Sequence, residues 1–427
     1  MRLLCFLAAM LVGAGSLGAA RQVLDSALRK SDIVFTLRSS DGISRLILLR
    51  PDGSERVLSA GFHAAADPEI SWDGQRLLFA AQKRPSDRWQ IYEIPVAGGV
   101  ARQVVTLPFD CRSPIYQSTA YNIASDQPWR QIAFVAQGAL HSARLDGSDV
   151  RRLTWHDAAD SDPQMLPDGR MIFSSRGGLF GVNADGTDFA EFSAHEGAAE
   201  KRTPAVTAGG LVVFIEGETI GSVSLRRNLH SYRRLTRPEE GAFLSPSALP
   251  DGTILVSRKM TQGRYSLWRF DPANGSMGQV LDNPGGDIVQ AKLVASRPEP
   301  DGRSSVVDES NPTGKFYSLS VPISDSEDGD WQKLAKRLRV LAMDGRSLGE
   351  MDLEPDGSFQ IEVPANTPLR LQVLDTSGAP LRTCNPVWVR NNENRGCIGC
   401  HEDGELAPEN HLAEALKKPA VQMGAHP

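Results

Sequence analysis

Near its C-terminus the chain reads Cys397-Ile398-Gly399-Cys400-His401. Two thiols separated by two residues, with a histidine directly after, form the pattern that joins a haem covalently to protein. Each sulfur adds to a vinyl group along one porphyrin edge, and the adjacent imidazole is directed to the iron as an axial ligand. The small Gly399 is expected to let the backbone lie close to the macrocycle. One haem c is therefore the expected cofactor, attached at Cys397 and Cys400 with His401 as proximal ligand. Two other chemistries use the same residues. Cys384, Cys397, Cys400 and His401 make up a Cys₃His zinc set, and a CxxC pair can also serve as a redox dithiol or a plain disulfide. The thioredoxin-like βαβ setting that usually carries a redox pair is not found around this one.

Other side chains are candidates for second roles at such a centre. His411 and Met423 lie downstream and are candidate distal iron ligands, with His426 beyond them in the tail. His63, His141, His156, His195 and His230 are donors further back, each equally explained as a surface or hydrogen-bonded histidine. Arg390 and Arg395 flank the motif, and a guanidinium fork matches a haem propionate; solvated surface arginines are the alternative. Cys111 and Cys384 fit three readings: a disulfide joining two parts of the chain, two unpaired buried thiols, or ligands to zinc. No Ser-His-Asp order, Walker loop or HExxH is present. Asp-Gly pairs such as Asp168-Gly169 suggest calcium at first sight, but turn chemistry already accounts for them.

The elements that must position these residues repeat one phrase from about Ser31 to about Val294. A polar or proline step leads to an Asp-Gly turn and then to a short apolar strand. Asp67-Pro68 with Asp73-Gly74 precedes Leu77-Leu78-Phe79, and Asp162-Pro163 with Asp168-Gly169 precedes Met171-Ile172-Phe173. Ser245-Pro246 with Asp251-Gly252 precedes Ile254-Leu255-Val256, and Thr203-Pro204 with Gly209-Gly210 is a degenerate copy. Asp-Gly supplies the positive φ of tight hairpin turns. Copies recur roughly every 40 to 48 residues, the length of one four-stranded propeller blade. Five or six blades are expected over 31–296, and the repeats resemble the propeller repeats of the TolB type, lacking the Gly-His and Trp-Asp marks of WD40.

The pattern then changes. Arg297-Pro298-Glu299-Pro300 reads as a proline-rich hinge, and Ser324 to Asp330 as a short acidic loop. From Leu338 to Val389 apolar and polar residues alternate with period two, as in Phe359-Gln360-Ile361-Glu362-Val363, which indicates antiparallel strands with one buried face. The overall expectation is an all-β chain: a TolB-like propeller, then a small β-sandwich-like module over 297–390, then a haem-attachment segment over 391–423.

At the other end, Arg2, the apolar run Leu3 to Val12 and the small-residue exit Gly18-Ala19-Ala20 read as a cleavable signal peptide over 1–20. The run is too short to span a bilayer, which takes about 20 apolar residues, and no later segment looks transmembrane. A periplasmic protein without a membrane span is expected, an uncleaved anchor being the alternative. Export also suits haem attachment, which follows translocation. The net charge of -6 over 427 residues carries no basic footprint, so nucleic acid is not an expected partner.

The stretch from Val387 to Asp403, the segments Asp356 to Pro364 and Thr367 to Asp375, and Arg337 to Val340 resemble the haem-bearing middle domain of the hydrazine synthase alpha subunit family, over roughly 297–423. The resemblance implies a propeller in front of that domain, and it implies a motif histidine drawn to zinc with a tyrosine four residues later on the iron. Here that later position is Glu405. The departure removes the tyrosinate and returns His401 to the iron. With one CxxCH in the chain, hydrazine formation is not expected. Two functions follow: electron transfer or redox and ligand sensing toward a partner protein, or a haem enzyme acting on a small nitrogen or oxygen species. A non-haem propeller scaffold with a zinc- or disulfide-locked tail is the third.

Overall fold

The computed structural model describes residues 28, 30–121, 128–193, 199–259, 263–324, 330–399 and 412–424, together with the backbone pairing of Arg21 and Gln22 to Leu281 and Asp282. The repeated phrase folds into six antiparallel blades, five of four strands and the last carrying Arg21–Gln22 as a fifth, which settles the blade number at six. Blades 2 to 6 open with the inner strands Ala64–Ile70, Cys111–Tyr116, Ser161–Met165, Lys201–Val206 and Ala242–Ala248. Blade 1 is shared between the two ends of the propeller. Its inner strand, Gly286–Leu293, pairs with Ile33–Ser39 and so closes the ring.

The step that looked like punctuation in the sequence is the inner wall of the propeller. Asp67, Asp162, Thr203 and Ser245, each directly before proline, have positive φ, between 48° and 58°. Ser113 before Pro114 and Gln290 before Ala291 do the same, at 49° and 56°, and complete a ring of six. At every one of these positions the pairing with the next strand slips by a bulge. A bulge leaves one residue outside the ladder, which suits a proline that has no N–H to donate. The bulged residues also tie blade to blade. Asp67 accepts from Arg112 Nε at 2.7 Å, from the Ser113 N–H at 3.0 Å and from Gln290 Nε2 at 2.7 Å, while the side-chain Oε1 of Gln290 accepts from the Asp67 N–H at 3.0 Å. Blades 1, 2 and 3 thus meet on one carboxylate.

Outside this ring the apolar second strands fill the spaces between blades. Phe35, Phe79, Phe134, Phe173 and Phe214 hold equivalent places there and are fully buried. The Asp-Gly turns form as the sequence implies: Asp73 Oδ1 accepts the Gln75 N–H at 3.0 Å across Gly74, whose φ is +75°.

The proline-rich segment does not swing as a hinge. It is strapped across the propeller face: Arg297 N–H donates to Trp72 O at 2.9 Å, Asp301 N–H to Pro167 O at 3.0 Å, and Arg303–Ser304 pairs in parallel with Ala120–Tyr121. The Arg297 guanidinium ion-pairs with buried Glu69 and lies 4.2 Å over Trp72. A side chain on Gly74 would strike the strap at Ala295, 2.9 Å from the Cβ position, which is a second reason for glycine there.

Beyond the strap, two four-stranded sheets face each other as a sandwich. One holds Thr313–Ser318, Phe359–Pro364, Asn394–Cys397 and Val421–Gln422; the other holds Arg337–Ala342, Ser347–Asp352, Leu369–Leu374 and Pro380–Thr383. The alternating residues Phe359, Ile361, Val363, Leu338, Val340 and Leu369 meet in its core. Among the described residues no helix is long and apolar enough to cross a membrane.

Burial alone would raise the Asp67 carboxyl, but Arg112 and the surrounding hydrogen bonds outweigh it and hold the group below its ordinary 3.8. Its contribution is full above 3.8 and is lost as pH falls through the lower, folded-state value. Replacing Asp67 with Asn should cost about 1.5–3 kcal/mol at pH 7, as expected for hydrogen bonds to a charged group. In urea titrations the gap between variant and parent should narrow as the pH drops below 3.8, and a gap independent of pH would contradict this account.

Candidate functional site

The first half of the cysteine motif is held by the sandwich. Strand Asn394–Cys397 runs parallel to Thr313–Ser318, which sets Cys397 beside Ser318. The ladder continues past the strand end, with the Leu319 N–H donating to Cys397 O at 3.0 Å and the Ser320 N–H to Ile398 O at 2.9 Å. Gly399 is then pressed against the backbone carbonyls of Ser320 and Ile323, where a Cβ would overlap both oxygens. The sequence assigned this glycine to close approach of a macrocycle; in the structure it is the approach of the chain's own backbone that excludes a side chain.

The segment before the motif docks the sandwich onto the propeller. Val387 and Val389 face the sandwich, so Trp388 faces the other way, as strand alternation requires. It enters blades 3 and 4 and is 1% exposed. Its ring stacks on Phe189 at 3.9 Å and lies against His156 at 5.5 Å, and its Nε1–H donates to Gly186 O at 3.3 Å. Glu393 reaches the same blade, accepting from the Asp188 N–H at 2.7 Å and from the Arg390 N–H at 2.6 Å. Burial pushes the Glu393 carboxyl up, against these two N–H donors.

Between the docked surfaces lies a cavity of about 390 Å³, within the range of small-molecule and cofactor sites. Phe180, Phe189 and His230 close it on the propeller side. Phe316, Phe359 and Leu371 close it on the sandwich side, and Cys397, Gly399, Arg395 and Cys384 open onto it. The walls are mostly apolar and aromatic. Burial pushes the Cys384 thiol up to about 11, although the Leu371 N–H and the charge of Arg395 favour the thiolate. Cys384 is therefore a protonated thiol at neutral pH. An apolar cleft with a motif cysteine on its wall and a buried guanidinium beside it suits a flat, largely apolar ligand that carries anionic groups.

The other sequence candidates are distributed as follows. Cys400, His401, His411, His426 and His195 lie outside the described residues, as does the signal segment 1–20. Met423 is packed in the sandwich core and does not line the cavity, so its placement does not support iron ligation; the short strand Val421–Gln422 beside Phe359–Pro364 holds it there. Arg390 does not line the cavity either. It points away from the cavity, donating to Glu309 at 3.0 Å and to Arg152 O at 3.1 Å and stacking 4.3 Å over Trp155, so it serves docking. Cys111 is buried between blades 2 and 3, and both it and Cys384 are free thiols, so no disulfide joins them. Burial pushes Cys111 up to about 12. Of the propeller histidines, His156 is buried 2.8 Å from Asp160 and accepts from the Ala158 N–H, a structural pairing. His141 is packed against Phe134, with burial lowering its pKa. His230 is the described histidine on the cavity wall. Phe180, Phe189 and the docking role of Trp388 were not anticipated. A large aromatic on the outer face of an alternating strand was the available signal for Trp388.

Comparison with known proteins agrees with this geometry. Residues 324–402 match the family model of the hydrazine synthase alpha subunit middle domain. The hydrazine synthase subunit alpha of Kuenenia stuttgartiensis is 25% identical over 324 residues, covering 56% of this chain and 40% of that protein. The chain thus spans well under half the length of that relative. The solved structure of Kuenenia stuttgartiensis hydrazine synthase superposes with a TM-score of 0.77 at 20% identity, over 91% of this chain and 71% of that one, and shares its fold. TolB from Acinetobacter baumannii matches 62% of this chain and 67% of its own at 14% identity, with a TM-score of 0.49. The resemblance drawn from Val387 to Asp403 is therefore found by independent comparison, and a six-bladed propeller precedes it.

Two substitutions test the positioning. Trp388→Ala should lower stability by about 3–5 kcal/mol, the usual cost of emptying a buried tryptophan site, and should speed proteolysis within 294–312. Unchanged cleavage would mean that the sandwich is held by other contacts. Gly399→Ala should destabilise by about 1–3 kcal/mol through overpacking, read as a lower urea midpoint.

Proposed function

We propose that this chain is an exported c-type haem protein in which one haem is seated in the cavity between blades 4 and 5 and the sandwich. Cys397 and Cys400 hold it, and His401 ligates its iron. The observation that carries this reading is the opening of Cys397 onto a wall of that apolar cavity. Bound haem supplies one-electron chemistry. The chain's own residues do the rest: the sheet holds Cys397 in register, Phe180 and Phe189 exclude water, and the propeller offers a broad surface to a partner. Electron transfer or redox sensing is the use that this arrangement supports. The charge, short apolar run and small-residue exit at the N-terminus support export to the periplasm, where thioether attachment takes place.

The match to the hydrazine synthase alpha subunit middle domain favours a second reading: a haem-bearing enzyme subunit that works with other chains on a small nitrogen or oxygen species. With Glu405 four residues after the motif histidine, the tyrosinate implied by the family resemblance is missing, and iron ligation by His401 suits the electron-transfer reading better.

Periplasmic protein made with a haem-maturation system should stain for covalent haem and give a c-type pyridine haemochrome spectrum. Cys397→Ser and Cys400→Ala together should abolish both signals. A colourless parent protein, with the motif sulfurs bridged to one another or bound to zinc, overturns the reading and leaves the propeller scaffold. A six-coordinate low-spin spectrum unmoved by CO or NO supports electron transfer, whereas a high-spin iron that binds them readily supports the enzyme.

A further inference from the structure

The cavity wall carries a buried guanidinium that has no ion-pair partner among the described residues. Arg395 sits two residues before Cys397 on the same strand, so both side chains project from the same face of the sheet. Arg395 is only 9% exposed. Its guanidinium carries five N–H donors, yet its one hydrogen bond runs from Nη1 to Trp388 O at 3.3 Å. The rest of the group lies over the Phe316 ring, 5.4 Å from its centre, and faces the cavity. Among the described residues no carboxylate is within ion-pair distance of it. Glu393, two residues earlier, is turned toward the Asp188 and Arg390 N–H groups, and the charge of Arg395 acts on it only through space. The buried guanidinium of Arg390, by contrast, is matched by Glu309.

A buried guanidinium without a counter-ion is costly, and such groups are normally paired. Its geometry selects a planar anion that accepts two parallel hydrogen bonds. Arg382, on the neighbouring sheet, adds a second positive side chain to the same cavity. We propose that Arg395 is the anion-recognition residue of this cavity, binding a carboxylate or small oxyanion between the aromatic walls. Two sources carry that chemistry: a propionate of the haem placed there above, or a free oxyanion such as nitrite or acetate. The propionate source rests on the proposed haem; the free-anion source does not.

The experiment compares the parent chain, Arg395→Lys and Arg395→Leu, each with haem attached and as the haem-free Cys397→Ser, Cys400→Ala form. Nitrite and acetate are titrated by calorimetry into both forms, and the loaded proteins are examined by resonance Raman spectroscopy and redox titration. Urea midpoints identify any variant that fails to fold, and Arg395→Lys retains the charge while losing the fork. If a propionate is the partner, Arg395→Leu moves the propionate bending band and lowers the reduction potential, and the loaded parent takes up neither anion. If a free oxyanion is the partner, nitrite or acetate binds the parent and Arg395→Leu weakens it about tenfold or more, as expected when a charged hydrogen-bonding partner is lost. Arg395→Lys should fall between parent and Arg395→Leu in either case. Spectra, potential and anion binding that are all indifferent to Arg395→Leu in folded protein overturn the proposal. Should no haem attach, the calorimetric arm alone decides it, so failure of the haem reading is separable from failure of the anion site.

Discussion

The insertion of Trp388 into blades 3 and 4 is the contact on which the rest of the molecule depends. An indole stacked on Phe189, backed by His156 and tied to Gly186 O, joins a sandwich to a propeller that would otherwise meet it along a strap. The residues immediately after it inherit their positions. Glu393 and Arg390 lock the chain to blades 3 and 4, and the strand Asn394–Cys397 then has little choice but to lie against Thr313–Ser318. Arg395 and Cys397 thereby come to face a cavity that neither part possesses alone.

The propeller supplies the rigidity that such docking needs. Its closure by Gly286–Leu293 in blade 1 removes the free edge, and the ring of six bulged residues links neighbouring inner strands. That ring is not symmetric in chemistry. Asp67 gathers Arg112, Ser113 and Gln290 around one carboxylate, whereas Asp162, with no such cluster of donors, is driven upward in pKa by burial. The strap then crosses the same face, so glycines at the blade turns answer two demands at once, a positive φ and the passage of another backbone.

The cavity combines walls of opposite preference. Phe180, Phe189, Phe316 and Phe359 favour an apolar, flat occupant, and the guanidinium of Arg395, which has no ion-pair partner among the described residues, favours an anion. An amphiphilic cofactor with acidic substituents satisfies both, and so does a small anion held under an apolar lid. The protonated thiol of Cys384 adds no competing charge to that environment.

The motif, the repeat and the alternation were legible in the chain because each is a local requirement. Thioether chemistry demands two cysteines and a histidine at short spacing; a hairpin demands Asp-Gly; a half-buried strand demands period two. So the propeller and the sandwich could be read before any fold was seen, and the spacing alone singled out Cys397 as a candidate. The division of labour between Arg390 and Arg395 could not. The two arginines are five residues apart and alike in sequence, and only the docking of Trp388 turns one toward Glu309 and the other toward the cavity. Met423 and Cys111 are the same lesson: each has a side chain able to bind metal, and each is consumed by a core. Spacing along the chain specifies local chemistry, whereas which groups share one space is decided by contacts between parts separated by some two hundred residues, such as Gly186 and Trp388.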